Sequence, residues 1–358
     1  MSQKHSISAV IPCYNAGAYL REAIESVLAQ SRPVDEILIV DDGSTDDSPR
    51  IAEEYARRCG VRVIRSLTNC GNAAARNLAI RQATGDLLAW LDADDVWEPW
   101  HIEQVAGLLE QTPLAAAAFG AVRLAGEASG TWEPRFPPGQ PVDAFWDAFW
   151  RSVGPQMAAV IRRDALRRIG GYDESMRSAN DYEMFVRLAR AYPLVCTHDV
   201  TAAYRWHQHQ LSRHPSGQYR NTYRSRLRLR DQALAAGYTE FAGDLEASMR
   251  WIWRRDLEGR WRHREMDALR FTLGFADLVP AAPAEVRRHY ACRAWIPRPA
   301  LRLWDVGPLG AVQRVAGRLG LASEPPRDAN RVRQPLERFT PPTRGVRQFP
   351  RPAEPSAA

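Results

Sequence analysis

Three carboxylates within four positions, Asp92, Asp94 and Asp95, stand in the stretch Trp90-Leu91-Asp92-Ala93-Asp94-Asp95. They follow the apolar run Leu87-Leu88-Ala89, which reads as a buried strand, so they fall where that strand should end. On extended backbone, residues two apart point to the same side, and paired carboxylate oxygens suit a hard cation such as Mg2+ or Mn2+. A solvated acidic turn leading into a helix after Pro99 has the same sequence signature, and a short Asp-x-Asp also recurs by chance. Two further polar clusters follow apolar runs in the same way. Tyr14-Asn15 comes after residues 7–11, and Asp41-Asp42-Gly43-Ser44-Thr45-Asp46 after residues 36–40.

The elements that would position these clusters alternate regularly. Strands are expected over 7–11, 36–40, 61–65 and 87–91, with Pro12 stopping the first. Helices are expected over 18–30, 48–58 and 72–83, the first with Leu20, Ile24, Val27 and Leu28 on one face. Such a series calls for right-handed crossovers and a parallel sheet covered on both faces, with ligands bound beyond the carboxyl ends of the strands. All three clusters fall at that edge. The first turn, Pro12-Cys13-Tyr14-Asn15-Ala16-Gly17, contains neither Gly-x-Gly-x-x-Gly nor Gly-Lys-Ser/Thr. A nucleotide held there must therefore be held by side-chain carboxylates and a metal.

Downstream, a strand over 157–162 and a helix over 164–169 precede Gly170-Gly171-Tyr172-Asp173-Glu174. Asp181 then opens a helix, where a short acid serves either as an N-terminal charge or cap or as a reactive group. Arg76 lies on the third helix, where an arginine is as often a surface ion-pair partner. His207 and His209 lie within three residues of each other beside Arg205, which leaves both a structural role and an anion or metal contact open.

A chain of 358 residues can bury a full core and hold one large domain plus a smaller one. No apolar run approaches the roughly 20 residues a membrane span needs. The N-terminus Met1-Ser2-Gln3-Lys4-His5 lacks the apolar core of a signal peptide, so a cytoplasmic protein is expected. Five cysteines without Cys-x-x-Cys spacing indicate neither a disulfide framework nor a zinc site. Charge divides the chain: residues 1–214 carry 22 Lys+Arg against 27 Asp+Glu, and residues 215–358 carry 26 against 15. The basic half suits phosphate, an anionic lipid surface or an acidic acceptor. Helices are expected over 220–236 and 241–262, the second with Leu245, Met249, Ile252 and Trp253 on one stripe and Arg250, Arg254 and Arg255 around it. Three segments follow from these patterns: 1–214, a mainly helical arginine-rich 215–324, and a Pro- and Arg-rich 325–358 expected to be disordered.

Taken together, Pro12-x-Tyr14-Asn15, Val40-Asp41-Asp42-Gly43-Ser44-Thr45-Asp46, Asn72-Ala73-Ala74-Ala75-Arg76-Asn77 and Leu91-Asp92-Ala93-Asp94-Asp95 resemble, in order and spacing, a family 2 glycosyltransferase. The resemblance covers about residues 5–212 and implies an α/β class, the GT-A fold: a Rossmann-like mixed sheet with helices on both faces, followed here by a helical C-terminal region. It further implies inverting transfer from a nucleotide-diphosphate sugar to a hydroxyl of a glycan or lipid-linked acceptor, in cell-surface polysaccharide synthesis. By the same resemblance Asp41 accepts a hydrogen bond from the nucleotide base, Tyr14 and Asn15 lie beside it and Pro12 lends its carbonyl. Arg76 lies near base and phosphates. Asp94 is a direct ligand of a divalent Mg2+ or Mn2+, Asp92 lies nearer ribose and metal, and His207 of Tyr204-Arg205-Trp206-His207 reaches the metal or diphosphate, with His209 second. Asp181 is the general base, with Glu183 the next candidate; Asn180 stands where the family carries an acid. The divalent ion neutralises the departing diphosphate while Asp181 takes the acceptor proton, so one in-line displacement inverts the anomeric centre.

Peripheral association with the inner face of the plasma membrane is expected from the basic half, and no nucleic acid partner. Two rival classes remain. One is an inactive module of this fold that binds membrane or nucleic acid, against which every site position is filled. The other is a nucleotidyltransferase, whose Gly-rich basic loop is missing.

Overall fold

The computed structural model describes residues 4–207, 215–262, 269 and 272–294. His209 and the tail 325–358 lie outside them. Two compact units divide between Asn221 and Thr222.

In the first unit β1 (Ile7–Cys13), α1 (Leu20–Leu28), β2 (Glu36–Asp41), α2 (Ser48–Cys59), β3 (Arg62–Arg65), α3 (Asn72–Gln82) and β4 (Leu87–Trp90) follow the expected alternation. Their strands pair in parallel in the order β3-β2-β1-β4. The run continues through β5 (Val96–Trp97), a π-turn over Ile102–Ala106 and α4 (Gly107–Gln111). Then come β6 (Ala117–Gly126), β7 (Gly130–Trp132), α5 (Phe145–Arg151), β8 (Ala159–Arg162), α6 (Arg163–Arg168), α7 (Asn180–Ala191) and β9 (Leu194–Trp206). β8 runs antiparallel to β4 and to β6, β9 parallel to β6, and β5 antiparallel to β9. The sheet is therefore mixed, and a purely parallel sheet holds only for its first half. Ile7, Ala9, Ile11, Leu20, Ile24, Ile39, Leu87, Ala89 and Leu91 build one continuous core with Ala118, Val160 and Val195.

Pro12 does not stop β1, which continues to Cys13 in register with Asp41. The carbonyl of Val10 accepts from Leu91 on the β4 side, and that of Cys13 from Asp42 on the β2 side. Alternate residues face alternate neighbours, so the missing N–H of Pro12 points to the β4 side, where β4 has already ended at Trp90. Leu28, expected on the buried face of α1, is 44% exposed.

Considered by itself, the second unit contains the rest of α8 (Pro215–Ala235), α9 (Thr239–Arg262) and α10 (Ala284–Ala294). The expected stripe Leu245, Met249, Ile252 and Trp253 is buried. Arg250 lies 3.6 Å from Glu246, and Arg255 lies 5.1 Å over the Trp251 ring, so part of the arginine face is paired rather than free. No helix among the described residues is long and apolar enough to cross a membrane.

Candidate functional site

At the carboxyl ends of β1 and β2 the chain knits two loops mainly through backbone N–H groups donated to side-chain oxygens. Tyr14 is 50% exposed, and Asn15 takes a left-handed φ of 50°, which asparagine tolerates better than most residues. Its Oδ1 accepts from the Thr45 N–H at 2.9 Å, and its own N–H donates to Ser44 Oγ at 2.9 Å. Ala16 N–H donates to Ser48 Oγ at 2.9 Å, and Gly17 N–H to Asp46 Oδ2 at 2.8 Å. Asp41 is buried: Oδ1 accepts from Ser44 N–H at 3.0 Å and Oδ2 lies 3.2 Å from Arg65 Nε. Asp42 accepts from the N–H groups of Cys70 and Gly71 at 2.9 and 2.7 Å, fastening the loop that leads into α3. Gly43, at φ +76°, lets that loop approach so closely that a Cβ would sit 2.8 Å from the Thr68 backbone. Half-buried Pro12 pairs with Val40 at the same edge.

The loop after β4 is organised by charge. Leu91 N–H donates to Val10, and the chain then turns, with Asp95 N–H donating to the Asp92 carbonyl at 3.0 Å. Asp92 and Asp94 therefore stand on a turn, not on extended backbone as the Asp-x-Asp spacing suggested, and their side chains meet different partners. Asp92 Oδ1 accepts from Arg76 Nη2 at 2.9 Å; Asp94 Oδ2 meets His207 Nε2 at 2.9 Å. Asp95 is 1% exposed, and its Oδ1 accepts from the Arg205 N–H at 2.7 Å. Arg205 in turn donates to the Asp94 carbonyl at 3.0 Å and to Glu22 at 2.6 Å. Tyr19 lies under both partners of these acids, 5.0 Å from the Arg205 guanidinium and 4.8 Å from the His207 ring. Burial and the neighbouring Asp92 raise the Asp94 carboxyl above the usual range, against the pull of His207. Burial, then Asp94 and Asp92, push Asp95 higher still.

Arg76 is 3% exposed, with Nη1 donating to Asn180 Oδ1 at 3.0 Å and its guanidinium 5.5 Å over the Tyr172 ring. Burial would lower its pKa, but the charges of Asp92 and Asp181 and the Tyr172 phenol outweigh that and raise it. Each Nη of its fork thus bonds a protein group, Asn180 on one side and Asp92 on the other. Asn77 ties α3 to the 170–174 turn by accepting from Tyr172 N–H and donating to the Tyr172 carbonyl and Glu174. α7 starts after Ala179, at φ 55°, with no side-chain cap. Asp181 thus lies in the first turn rather than at the cap; its Oδ1 accepts from Tyr182 N–H at 2.8 Å. Glu183, the second candidate base, is held by Arg187 at 2.6 Å.

The fold thus gathers Asp92, Asp94, His207, Arg76 and Asp181 on the β4 and α7 side, and Pro12, Tyr14, Asn15 and Asp41 on the β1 and β2 side. Among the described residues no three His, Cys, Asp or Glu side chains form a group that could hold a metal ion by themselves. One oxygen each of Asp92 and Asp94 is not committed to another side chain. An open pair of carboxylates is the donor set that Mg2+ or Mn2+ shares with ligand phosphates, so the residues fit such an ion. Asp95, Arg205 and Asn180 had no assigned role in the sequence. The signal available for Arg205 was the need of adjacent buried acids for a cation.

The Glycosyl transferase family 2 model matches residues 8–170. The chain is 37% identical over 134 residues to the uncharacterized glycosyltransferase YibD of Escherichia coli, covering 37% of this chain and 39% of YibD. It is 39% identical over 102 residues to TuaG of Bacillus subtilis, described as a candidate teichuronic acid biosynthesis glycosyltransferase, covering 28% of this chain and 40% of TuaG. The chain thus spans less than half the length of these two curated relatives. The crystal structure of TarS 1-349 from S. aureus in complex with UDP-GlcNAc is similar in fold, with a TM-score of 0.61 at 19% identity, covering 81% of this chain and 88% of that one. Residues 8–170 thus match the Glycosyl transferase family 2 model, and the fold is that of the GT-A glycosyltransferases.

Proposed function

We propose that this protein is an inverting, metal-dependent glycosyltransferase that moves a sugar from a nucleoside-diphosphate donor to a hydroxyl of a glycan or lipid-linked acceptor in cell-surface polysaccharide synthesis. One observation carries this reading. Acids far apart in sequence, Asp92 after β4 and Asp181 in α7, are brought to one guanidinium: Arg76 bonds Asp92 at 2.9 Å and Asp181's neighbour Asn180 at 3.0 Å. TuaG, described in teichuronic acid biosynthesis, supports the acceptor class, and TarS, crystallised with UDP-GlcNAc, supports the donor class.

In this mechanism Tyr14 offers its exposed ring to the nucleotide base, flanked by Asn15 and the Pro12 carbonyl. Asp41 accepts a base N–H in exchange for the half-exposed Arg65 that now covers it. Asp92 and Asp94 would hold the divalent ion, His207 holding Asp94 in place or joining as a ligand; when bound, such an ion supplies neutralisation of the charge that develops on the departing diphosphate. Asp181 Oδ accepts the proton of the attacking hydroxyl, and the displacement inverts the anomeric centre. The basic half beyond residue 214, with 26 Lys+Arg against 15 Asp+Glu, would hold the enzyme peripherally on anionic lipid at the inner membrane face.

The test is release of free nucleoside diphosphate from a panel of UDP- and GDP-sugars with a lipid-linked or glycan acceptor, with Mn2+, with Mg2+ and with excess EDTA. Metal-dependent release from at least one donor is expected. Absence of release from every donor and metal, with the protein folded, refutes the transferase reading; equal release in EDTA refutes the metal.

A further inference from the structure

Arg76 spans the two halves of the reaction that the proposed function separates. One Nη meets Asp92 at 2.9 Å, in the loop that would hold the diphosphate; the other meets Asn180 at 3.0 Å, the first residue of α7, next to Asp181. We infer that Arg76 is a positioning residue, which sets the separation of the Asp92–Asp94 loop from the Asp181 turn without touching donor, and that Asn180 is its required partner. This rests on the transferase reading.

Three observations support it. With 3% of its surface exposed, Arg76 cannot present its fork to a diphosphate or a base. The two bonds of its fork both run to protein groups, one from each Nη, and they join residues 92 and 180 across the site. The Tyr172 ring lies 5.5 Å beneath the guanidinium and is itself braced edge-on by Trp90 at 5.8 Å, which fixes the plane of the fork. A planar guanidinium with two directed Nη groups can hold two elements at a set spacing; a flexible ammonium cannot. Asn180 supplies an acceptor oxygen without a charge. A carboxylate there would stand beside Asp181, and like charges that close oppose each other. The neutral amide keeps Arg76's single formal partner at Asp92 while its field still reaches Asp181, the second carboxylate acting on this guanidinium.

The test uses the full chain and the variants Asn180→Ala and Arg76→Lys. Both are expected to lower kcat about 10- to 100-fold, as loss of a supporting contact does. Donor KM, and the affinity for UDP or GDP with Mn2+ measured by calorimetry, should stay within roughly 3-fold of the parent. A rise in donor KM or weakening of nucleotide binding that accounts for the whole loss, with kcat unchanged, makes Arg76 a donor contact and overturns the inference. So does an unchanged kcat. Should Arg76→Lys fail to fold, Asn180→Ala carries the test alone, since it leaves the Arg76–Asp92 pair intact. If the parent turns over no sugar nucleotide, the transferase reading fails first. The bridge is then read from Tm: losses in Asp92→Asn and Asn180→Ala should not add in the double variant, and additive losses overturn the bridge as well.

Discussion

On the β1 and β2 side of the crevice, Asp42 and Asp46 are satisfied by backbone: Cys70, Gly71, Gly17 and Ser48 donate their N–H groups to them. On the β4 side Asp92, Asp94 and Asp95 crowd within four positions and are met by Arg76, His207 and Arg205. The pKa shifts diverge accordingly. Burial pushes Asp46 up, but the bonds from Ser48 and Gly17 win and its carboxyl falls below the usual range; Asp94 and Asp95 rise because burial and like charge win. An acid held by N–H groups stabilises the fold, whereas an acid crowded by other acids is kept at a cost to stability, which is the pattern expected of a site that awaits a cation.

Removing a β4-side acid should therefore damage activity more than stability. Asp94→Ala is expected to lower sugar transfer about 1000-fold, while Tm stays level or rises. A variant that keeps activity, or loses it only by unfolding, breaks the comparison on this side. Asp181→Asn comes next: transfer should fall about 100-fold with donor affinity kept and stability within about 1 kcal/mol of the parent. Near-parental transfer in this variant would falsify the base assignment.

The opposite side should answer in stability. Asp42→Ala leaves the Cys70 and Gly71 N–H groups without their acceptor, for an expected loss of about 1–3 kcal/mol in denaturant unfolding. An unchanged midpoint would show that water replaces the carboxylate there, and the contrast would collapse. The smallest expected effect is back on the β4 side, in the stability contributed by Asp95. Its folded pKa lies above the unfolded value, so its contribution is fully present below about pH 3.8 and is lost as pH rises through the folded value. Asp95→Asn keeps an acceptor for Arg205 N–H and should gain on the order of 1 kcal/mol over the parent at pH 7, the gain vanishing toward pH 4. A gain that is independent of pH, or a loss at pH 7, would mean that the charge itself is needed by Arg205.

How much was legible can be argued from particular residues. The first three βα repeats were readable because their strands are apolar runs and their helices have periodic faces. β6 was not: the alanines at 115–118 favour helix by propensity, and the chain is a strand from Ala117 because β8 and β9 pair on either side of it. β9 went unread for a related reason, since its middle residues 197–199 are half-buried or exposed and interrupt the apolar run. At the site the acids could be named by position, but not their partners. Nothing in the Asp-x-Asp spacing says that Asp92 turns to Arg76 and Asp94 to His207, because that choice is made by a turn closed by Asp95 N–H.

By itself the sequence determined which strand ends carry acids and amides, because apolar runs must be buried and polar clusters must interrupt them at the sheet edge. It also determined that the first turn carries neither Gly-x-Gly-x-x-Gly nor Gly-Lys-Ser/Thr, which is why carboxylates were expected to hold a nucleotide there. Only the tertiary structure decided that Arg76 is buried, that Asn180 shares it with Asp92, and that Glu183 is held by Arg187. The physical reason is that a charge's role depends on what is within about 3–4 Å of it in a medium of low dielectric. Residues 76, 92 and 180 reach that distance only after β4 has paired with β1 and α7 has packed behind the sheet.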